Sequence, residues 1–563
     1  MPHIDHDDTK NHSMLRLIAK VGLVAAISAI WIAYRSGTKP TRISYPCQQA
    51  ALSNIETFKS LLLALVPSIA SIKAMGNSLK PVAILVALVF GSMAITSNFT
   101  ALNNYALAPP DNYNRVPIDL MPNTAITSES ASDIFLVGNA SGLEGNMDPA
   151  IDALLNLMES NNLDFYESSS TPSGLIGSND VVILKVNGQW NNRGGTNTDL
   201  VKSVINAIVN HPDGFTGEVV IADNGQGLGN MDFTSSNAFY HNQSMDSIAT
   251  SFSTHRVSTY LWDDIRQFTV DEYDEGDLTS GYVLNYNWNV DTHLFVSYPK
   301  FRTVYGTYIS FKNGIWNNET GFDSDRLKVI NMPVLKSHFR YGVTGSVKNY
   351  MGLPKGYIVS DISYDVPHEH FSIALGGMGT LMLETRAPIL NILDMIWINA
   401  HPMESSTRRG PWSSYSNAVF TDIIGVSSDP VALDYWASKN ILCAAAEYLN
   451  YTVYSSLDPD YAPLSDQYYG VELMDESFHN YLNRTRVVLN NGGRQATMNT
   501  DEMNVYITAL NDNPLGQTSS TTPETPTPPT TTTSGDIWLQ ALIVGAPISA
   551  ALIVIVALIR RNR

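Results

Sequence analysis

The sequence predicts an α/β protein: a mostly parallel sheet with flanking helices, a β-rich insertion, and transmembrane helices at both ends. Three observations predict it. Apolar runs of strand length alternate with amphipathic helical runs through the middle of the chain. Cations gather at the ends of those runs in an otherwise acidic protein, and long uncharged segments stand near both termini. The 563 residues carry 34 Lys+Arg against 53 Asp+Glu, a net charge of −19. Binding a phosphate backbone needs a basic face, so nucleic acid is not an expected partner. The two cysteines, Cys47 and Cys443, form no C-x-x-C, so ligand count excludes an iron–sulfur cluster and a thiolate zinc site.

Residues 1–108 form the expected N-terminal membrane region, with spans near 17–34 and 81–100. About twenty apolar residues cross a bilayer core as a helix. Lys20 lies inside the first segment, close enough to its end to snorkel to the headgroups. That segment reads either as an anchor or as a signal peptide, and the absence of a small-x-small cleavage site favours the anchor. The loop between the two spans carries Arg35, Lys39, Arg42, Lys59, Lys73 and Lys80 against Glu56 alone. At the other end, residues 537–559 are uncharged and are followed by Arg560, Arg561 and Arg563 in a tail over 560–563. Positive flanks stay in the cytoplasm, so residues 109–512 are expected to lie outside the plasma membrane. Residues 513–536 are Thr-, Pro- and Ser-rich and cannot bury a core, which makes them a stalk. N-x-Ser/Thr sequons stand at Asn98, Asn139, Asn242, Asn318, Asn450 and Asn483.

Within the ectodomain, Met147–Met158 is helical by spacing, with Ile151, Leu154, Leu155 and Met158 on one face. Asp180–Lys185 reads as a strand. Asp199–Val209 reads as a helix with Thr198 as N-cap, and Gly217–Ala222 as the next strand. Strand–helix–strand over this length is a βαβ unit and implies a parallel sheet. Further on, Lys328–Met332 and Ala418–Val426 read as strands; Leu383–Ile398, Asp429–Leu442 and Glu502–Leu510 read as helices. Residues of about 225–325 are aromatic and acidic without clear periodicity and are expected to form the insertion.

The cations concentrate in one stretch. Pro333-Val-Leu-Lys336-Ser-His338-Phe-Arg340 follows an apolar run and leads into Val347-Lys348-Asn349-Tyr-Met-Gly352. Lys185 ends an earlier strand, just before Asn187. In a parallel sheet such positions converge on one rim, where lysines hold a phosphate or carboxylate and His338 serves as general base. The plain alternative is solvated surface lysines. Asp223 and Asp394 end apolar runs and are candidates for acid, base or ligand; Asp429 is a helix cap, and Asp434 a partner for a lysine. His368 and His370, at i and i+2, are candidate ligands for a divalent metal, with Asp365 or His401 as a third; an exposed loop is the alternative.

These motifs resemble the DUF362 family, whose domain often carries P-x-L-K-T-H followed by L-K-N-x-x-G. The resemblance runs over about residues 145–445. Val182-Ile-Leu-Lys185-Val-Asn187 is similar to its V-x-I-K-P-N, and Thr196-Asn-Thr-Asp199 to its T-N-P-E. Ile221-Ala-Asp223 is similar to its strand-end G-D-S, Asn391-Ile-Leu-Asp394 to L-N-I-V-D, and Asp429-Pro-Val-Ala-Leu-Asp434 to D-P-V-A-L-D. The loop His401–Pro411 departs from the glycine-rich run of relatives. The resemblance implies an α/β fold with a strand-end site and names no reaction. The catalytic candidates are His338, Lys336, Asp223 and Asp394. The ligand-binding candidates are Lys185, Asn187, Lys348, Asn349 and Arg340. The expected function is a membrane-anchored surface protein with a Lys/His/Asp cleft for a small anionic ligand or substrate. The alternative is a non-catalytic surface glycoprotein on a reused scaffold. Expected partners are the lipid bilayer, a small anion, and other surface glycoproteins or further copies of the chain.

Overall fold

Strand pairing follows the apolar runs. The computed structural model describes residues 115–126, 131–140, 147–188, 194–225, 233–234, 243–287, 289–338, 341–355, 372–373, 375–402, 418–451, 454–461 and 477–510. In chain order the first elements are β1 (Ser132–Gly138), α1 (Asp148–Glu159), β2 (Val181–Val186), α2 (Thr198–Val209), β3 (Glu218–Asp223), α3 (Met245–Ser251) and β4 (Val257–Leu261). A five-stranded antiparallel sheet follows, β5 (Gly281–Asn285), β6 (Val296–Arg302), β7 (Tyr308–Ser310), β8 (Gly314–Asn317) and β9 (Gly321–Asp323). Then come β10 (Leu327–Met332), β11 (Val334–His338), β12 (Gly342–Thr344), α4 (Ser346–Asn349), α5 (Gly377–Glu384), β13 (Leu390–Asn399) and β14 (Val419–Ser427). The last are α6 (Pro430–Ala437), α7 (Cys443–Tyr448), α8 (Phe478–Asn491) and β15 (Met503–Ala509).

The main sheet runs β15-β1-β14-β13-β10-β2-β3-β4, with β11 and β12 joined beside β13. β13, β10, β2, β3 and β4 are mutually parallel, whereas β14 is antiparallel to both its neighbours. From β2 the chain builds outward through β3 and β4; from β10 it builds the other way, through β13 and β14. The strand order therefore reverses between β2 and β10, which is where open α/β sheets form a crevice at their carboxyl ends. Pro333 separates β10 from β11, and both run along β13: Ile330 pairs with Leu390, and Lys336 with Asn399. Lys336 therefore lies further toward the carboxyl rim than β10 reaches.

Both faces of the sheet are covered. Val182, Leu184, Val219 and Ile221 pack with α1 and α2 on one side. Val181, Ile183, Val220, Val329 and Leu393 pack on the other with the five-stranded sheet and α5–α8. In α2, Leu200, Val201, Val204, Ile205 and Ile208 are buried, and each such side chain contributes roughly 1.5–3 kcal/mol.

Four sequence expectations are corrected. Leu383–Ile398 is not one helix: α5 ends at Glu384, and Leu390–Asn399 is a strand buried along its whole length. With both faces covered, its apolar residues lose the alternation that marks a strand. Met503–Ala509 is a strand, held by parallel pairing with β1. Asn197, not Thr198, caps α2, accepting the Asp199 N–H at 2.9 Å. The stretch read as insertion also supplies β4, the edge of the main sheet.

The expected membrane spans, the stalk, Arg340, Asp365, His368, His370, Asn98 and Asn242 lie outside the described residues. Among the described residues no helix is long and apolar enough to cross a membrane, and no group of three His, Cys, Asp or Glu side chains could hold a metal.

Candidate functional site

Asn331 of β10 stands in register with Lys185 of β2 on one side and Asn391 of β13 on the other. Asn391 in turn pairs with Ser427 of β14. A buried polar row thus crosses the centre of the sheet. Asn331 Nδ2 donates to Asn391 Oδ1 at 2.9 Å and to Ser346 O at 2.9 Å, while Asn349 Nδ2 donates to Asn331 Oδ1 at 2.8 Å. Asn349 also reaches the Lys185 and Val186 carbonyls at 3.3 and 3.5 Å. This network fixes α4 above the carboxyl end of β2. Its N-terminus is held by Asp434, whose carboxylate accepts from Ser346 N at 2.6 Å and Val347 N at 2.9 Å. Asp434 therefore caps a helix; among the described residues it has no ion pair with a lysine. Burial pushes its pKa up to about 7 against the pull of those N–H groups. Asp429 caps α6 through Val431 N and Ala432 N, as its position before Pro430 predicts.

At the end of β2, Lys185 Nζ lies 2.6 Å from Asp223 Oδ1 and 2.9 Å from Val186 O. Asp223 Oδ2 accepts from Gly188 N at 2.7 Å. Lys185 is 1% exposed and Asp223 2%. Burial pushes the lysine pKa down and the aspartate pKa up; each charge draws the other back toward its ionised form. Gly352 packs directly on this pair: a methyl group there would overlap Asp223 Oδ1 and Lys185 Nζ. Gly352→Ala is expected to lose about 1–3 kcal/mol through overpacking, measured as a drop in urea midpoint.

Lys336 is 3% exposed. Its ammonium donates to the Gly194 carbonyl, and no carboxylate lies within ion-pair distance among the described residues. Burial lowers its pKa to about 7; Asp223 and Asp394 oppose the shift, and Lys185 adds to it. Asp394 sits within β13 rather than at its end, where Oδ2 accepts from Asn197 N at 2.7 Å and Oδ1 from Ile396 N at 3.0 Å. Two lysines and two aspartates thus meet at the rim where β2, β3, β11 and β13 come together. Asn187 Oδ1 and Asn399 Nδ2 are buried without hydrogen-bond partners among the described residues, although unpaired buried polar atoms are costly.

His338 ends β11 two residues after Lys336, half-buried and on the same strand face. Lys348, on α4, is buried with Nζ 3.4 Å from Thr344 Oγ1. Thr344 pairs with Lys336 across β11 and β12. Sequence reasoning missed Asn331, Gly352 and the capping role of Asn197. Asn331 carries a signal, an amide inside the apolar run Val329-Ile-Asn-Met332; its row partner Asn391 lies in the run Asn391-Ile-Leu-Asp394.

Residues 323–439 match the model of the family described as Domain of unknown function (DUF362). No curated protein and no solved structure gives a significant match to the chain. Lys185 and Asp223 precede the matched stretch, whereas Lys336, Lys348, Asp394 and Asp434 lie within it. The matched segment carries β10–β14 and the rim lysine Lys336.

Proposed function

We propose that this chain is a membrane-anchored surface protein whose carboxyl-rim cluster binds a small anion bearing a phosphate or carboxylate. One observation carries the reading: the buried Lys336 stands in register with Asn399, whose Nδ2 is buried without a hydrogen-bond partner among the described residues, and the described hydrogen bond of Lys336 is to a backbone carbonyl. An anion there would accept from Lys336 and Asn399, and it would restore the charged form of the lysine. The location, the carboxyl rim at the reversal of strand order, is where such sheets bind ligands. In a catalytic form of this site, His338 or Asp394 moves protons while the lysines hold the anion. The uncharged spans and positive flanks support the membrane anchoring.

The competing reading is a scaffold whose polar groups only hold the fold together. The closed Lys185–Asp223 pair favours it, because that lysine already has its carboxylate. Thermal unfolding of the full chain in detergent separates the two. Inorganic phosphate or malonate at about a hundred times its Kd should add roughly 2.7 kcal/mol of stability, and Lys336→Met should abolish the gain. Absence of any shift with either anion, or an equal shift in Lys336→Met, would favour the scaffold.

A further inference from the structure

A concavity lies at the opposite rim of the main sheet. It has a volume of about 490 Å³ and is lined by Val181 and Gly217, at the amino ends of β2 and β3, together with Arg256, Arg326, Trp316 and Asn318. That volume falls in the range of small-ligand sites. Trp316 and Asn318 belong to the β8–β9 hairpin. Asn317 pairs with Gly321, leaving Asn318, Glu319 and Thr320 as an exposed three-residue loop, closed by Gly321 at φ +81°. Trp316 and Asn318, two residues apart, both border the cavity. Asn318-Glu-Thr320 is also a sequon.

The other described sequons are built differently. Asn139 gives Nδ2 to Leu510 O at 3.1 Å and accepts from Arg115 Nη2 at 3.1 Å. Asn483 lies inside α8, where Oδ1 accepts twice from Arg486, and its Thr485 is fully buried. Neither amide reaches a transferase without breaking folded structure. Asn450 is exposed, with Nδ2 turned back to Tyr448 O at 3.4 Å.

We propose that Asn318 carries an N-linked glycan whose first sugars lie in this cavity against Trp316. Transfer comes from a lipid-linked phospho-oligosaccharide. The bond between the sugar anomeric carbon and phosphate oxygen breaks, leaving its electron pair on the departing lipid phosphate; the anomeric carbon bonds to Asn318 Nδ2, and the proton the amide loses passes to solvent. The C–H face of the first sugar then stacks on the indole, whose π-face is electronegative. Arg256 and Arg326 supply N–H donors for sugar hydroxyls. The inference rests on the surface placement proposed above.

Glycopeptide mass spectrometry on the full chain from its native membranes tests it. A sugar mass is expected on the Asn318 peptide, with Asn139 and Asn483 bare. A bare Asn318 overturns the proposal. Protease added to intact cells then identifies the failed reading: cleavage within residues 109–512 leaves the surface placement standing, and protection removes it too. The stacking is tested by removing the sequon with Thr320→Ala in two backgrounds. In the parent, Tm should fall by about 2–4 °C; in Trp316→Ala, which keeps its glycan mass, it should not fall further. An equal fall in both backgrounds overturns the contact with Trp316.

Discussion

Asp223→Ala is expected to destabilise the protein by about 3–5 kcal/mol, the usual cost of breaking a buried ion pair from one side. The Lys185 ammonium would lose the carboxylate 2.6 Å away, and the Gly188 N–H would lose its acceptor. Water cannot replace either, because Lys185 is 1% exposed. Equilibrium urea unfolding at unchanged slope reads the loss as a shift in midpoint. Replacing both partners, with Lys185→Met and Asp223→Leu, should recover most of it, since no unpaired charge then remains. If the double variant is as unstable as the single one, the cost lies in packing and not in charge.

Lys336→Met is expected to stabilise the anion-free protein at pH 6 and to lose that gain by pH 10. The folded pKa of Lys336 is lowered to about 7 from a model-compound value of 10.5. Between those two values the unfolded chain binds more protons than the folded one, so this group makes stability rise with pH. Below pH 7 the full cost of burying the ammonium is present, at about 1.4 kcal/mol per pKa unit. Methionine removes that cost and gives up one hydrogen bond worth about 1 kcal/mol. A net gain of roughly 2–4 kcal/mol at pH 6 follows. Asp429 and Asp434 have the opposite sign. Their folded values are raised to about 6 and about 7, so their costs accrue as pH climbs from about 4 toward 7. Both terms cancel in the difference between variant and parent. Urea midpoints measured from pH 6 to 10 give that difference directly, and a gain that stays constant with pH would show Lys336 to be charged in the folded state throughout.

Much of the fold was legible because apolar patterning is a local property. The runs at β2, β3, β10 and β14, the α2 stripe of Val201, Val204, Ile205 and Ile208, and the Asp429-Pro430 helix start can each be read from a few neighbouring residues. β13 and β15 could not be read that way. Leu390–Asn399 is apolar on both faces, so its spacing fits a helix as well as a strand, and the strand state depends on β10 and β14 beside it. Met503–Ala509 is a strand because β1, some 370 residues earlier, pairs with it in parallel. The candidate site divides along the same line. The residue types at Lys185, Asp223, Lys336 and Asp394, and their strand-end setting, were visible in the chain. Their partners were not. That Lys185 is neutralised by Asp223 while Lys336 faces a backbone carbonyl, that Asp434 caps α4, and that Asn331 ties the row together are all settled by groups distant in sequence. The sequence by itself determined which segments must be buried and where cations accumulate, because hydrophobic and charge patterns act within a few residues. Only the tertiary structure decided which charges are paired and which backbone groups they satisfy, because burial and close approach, not composition, set the energy of a charge.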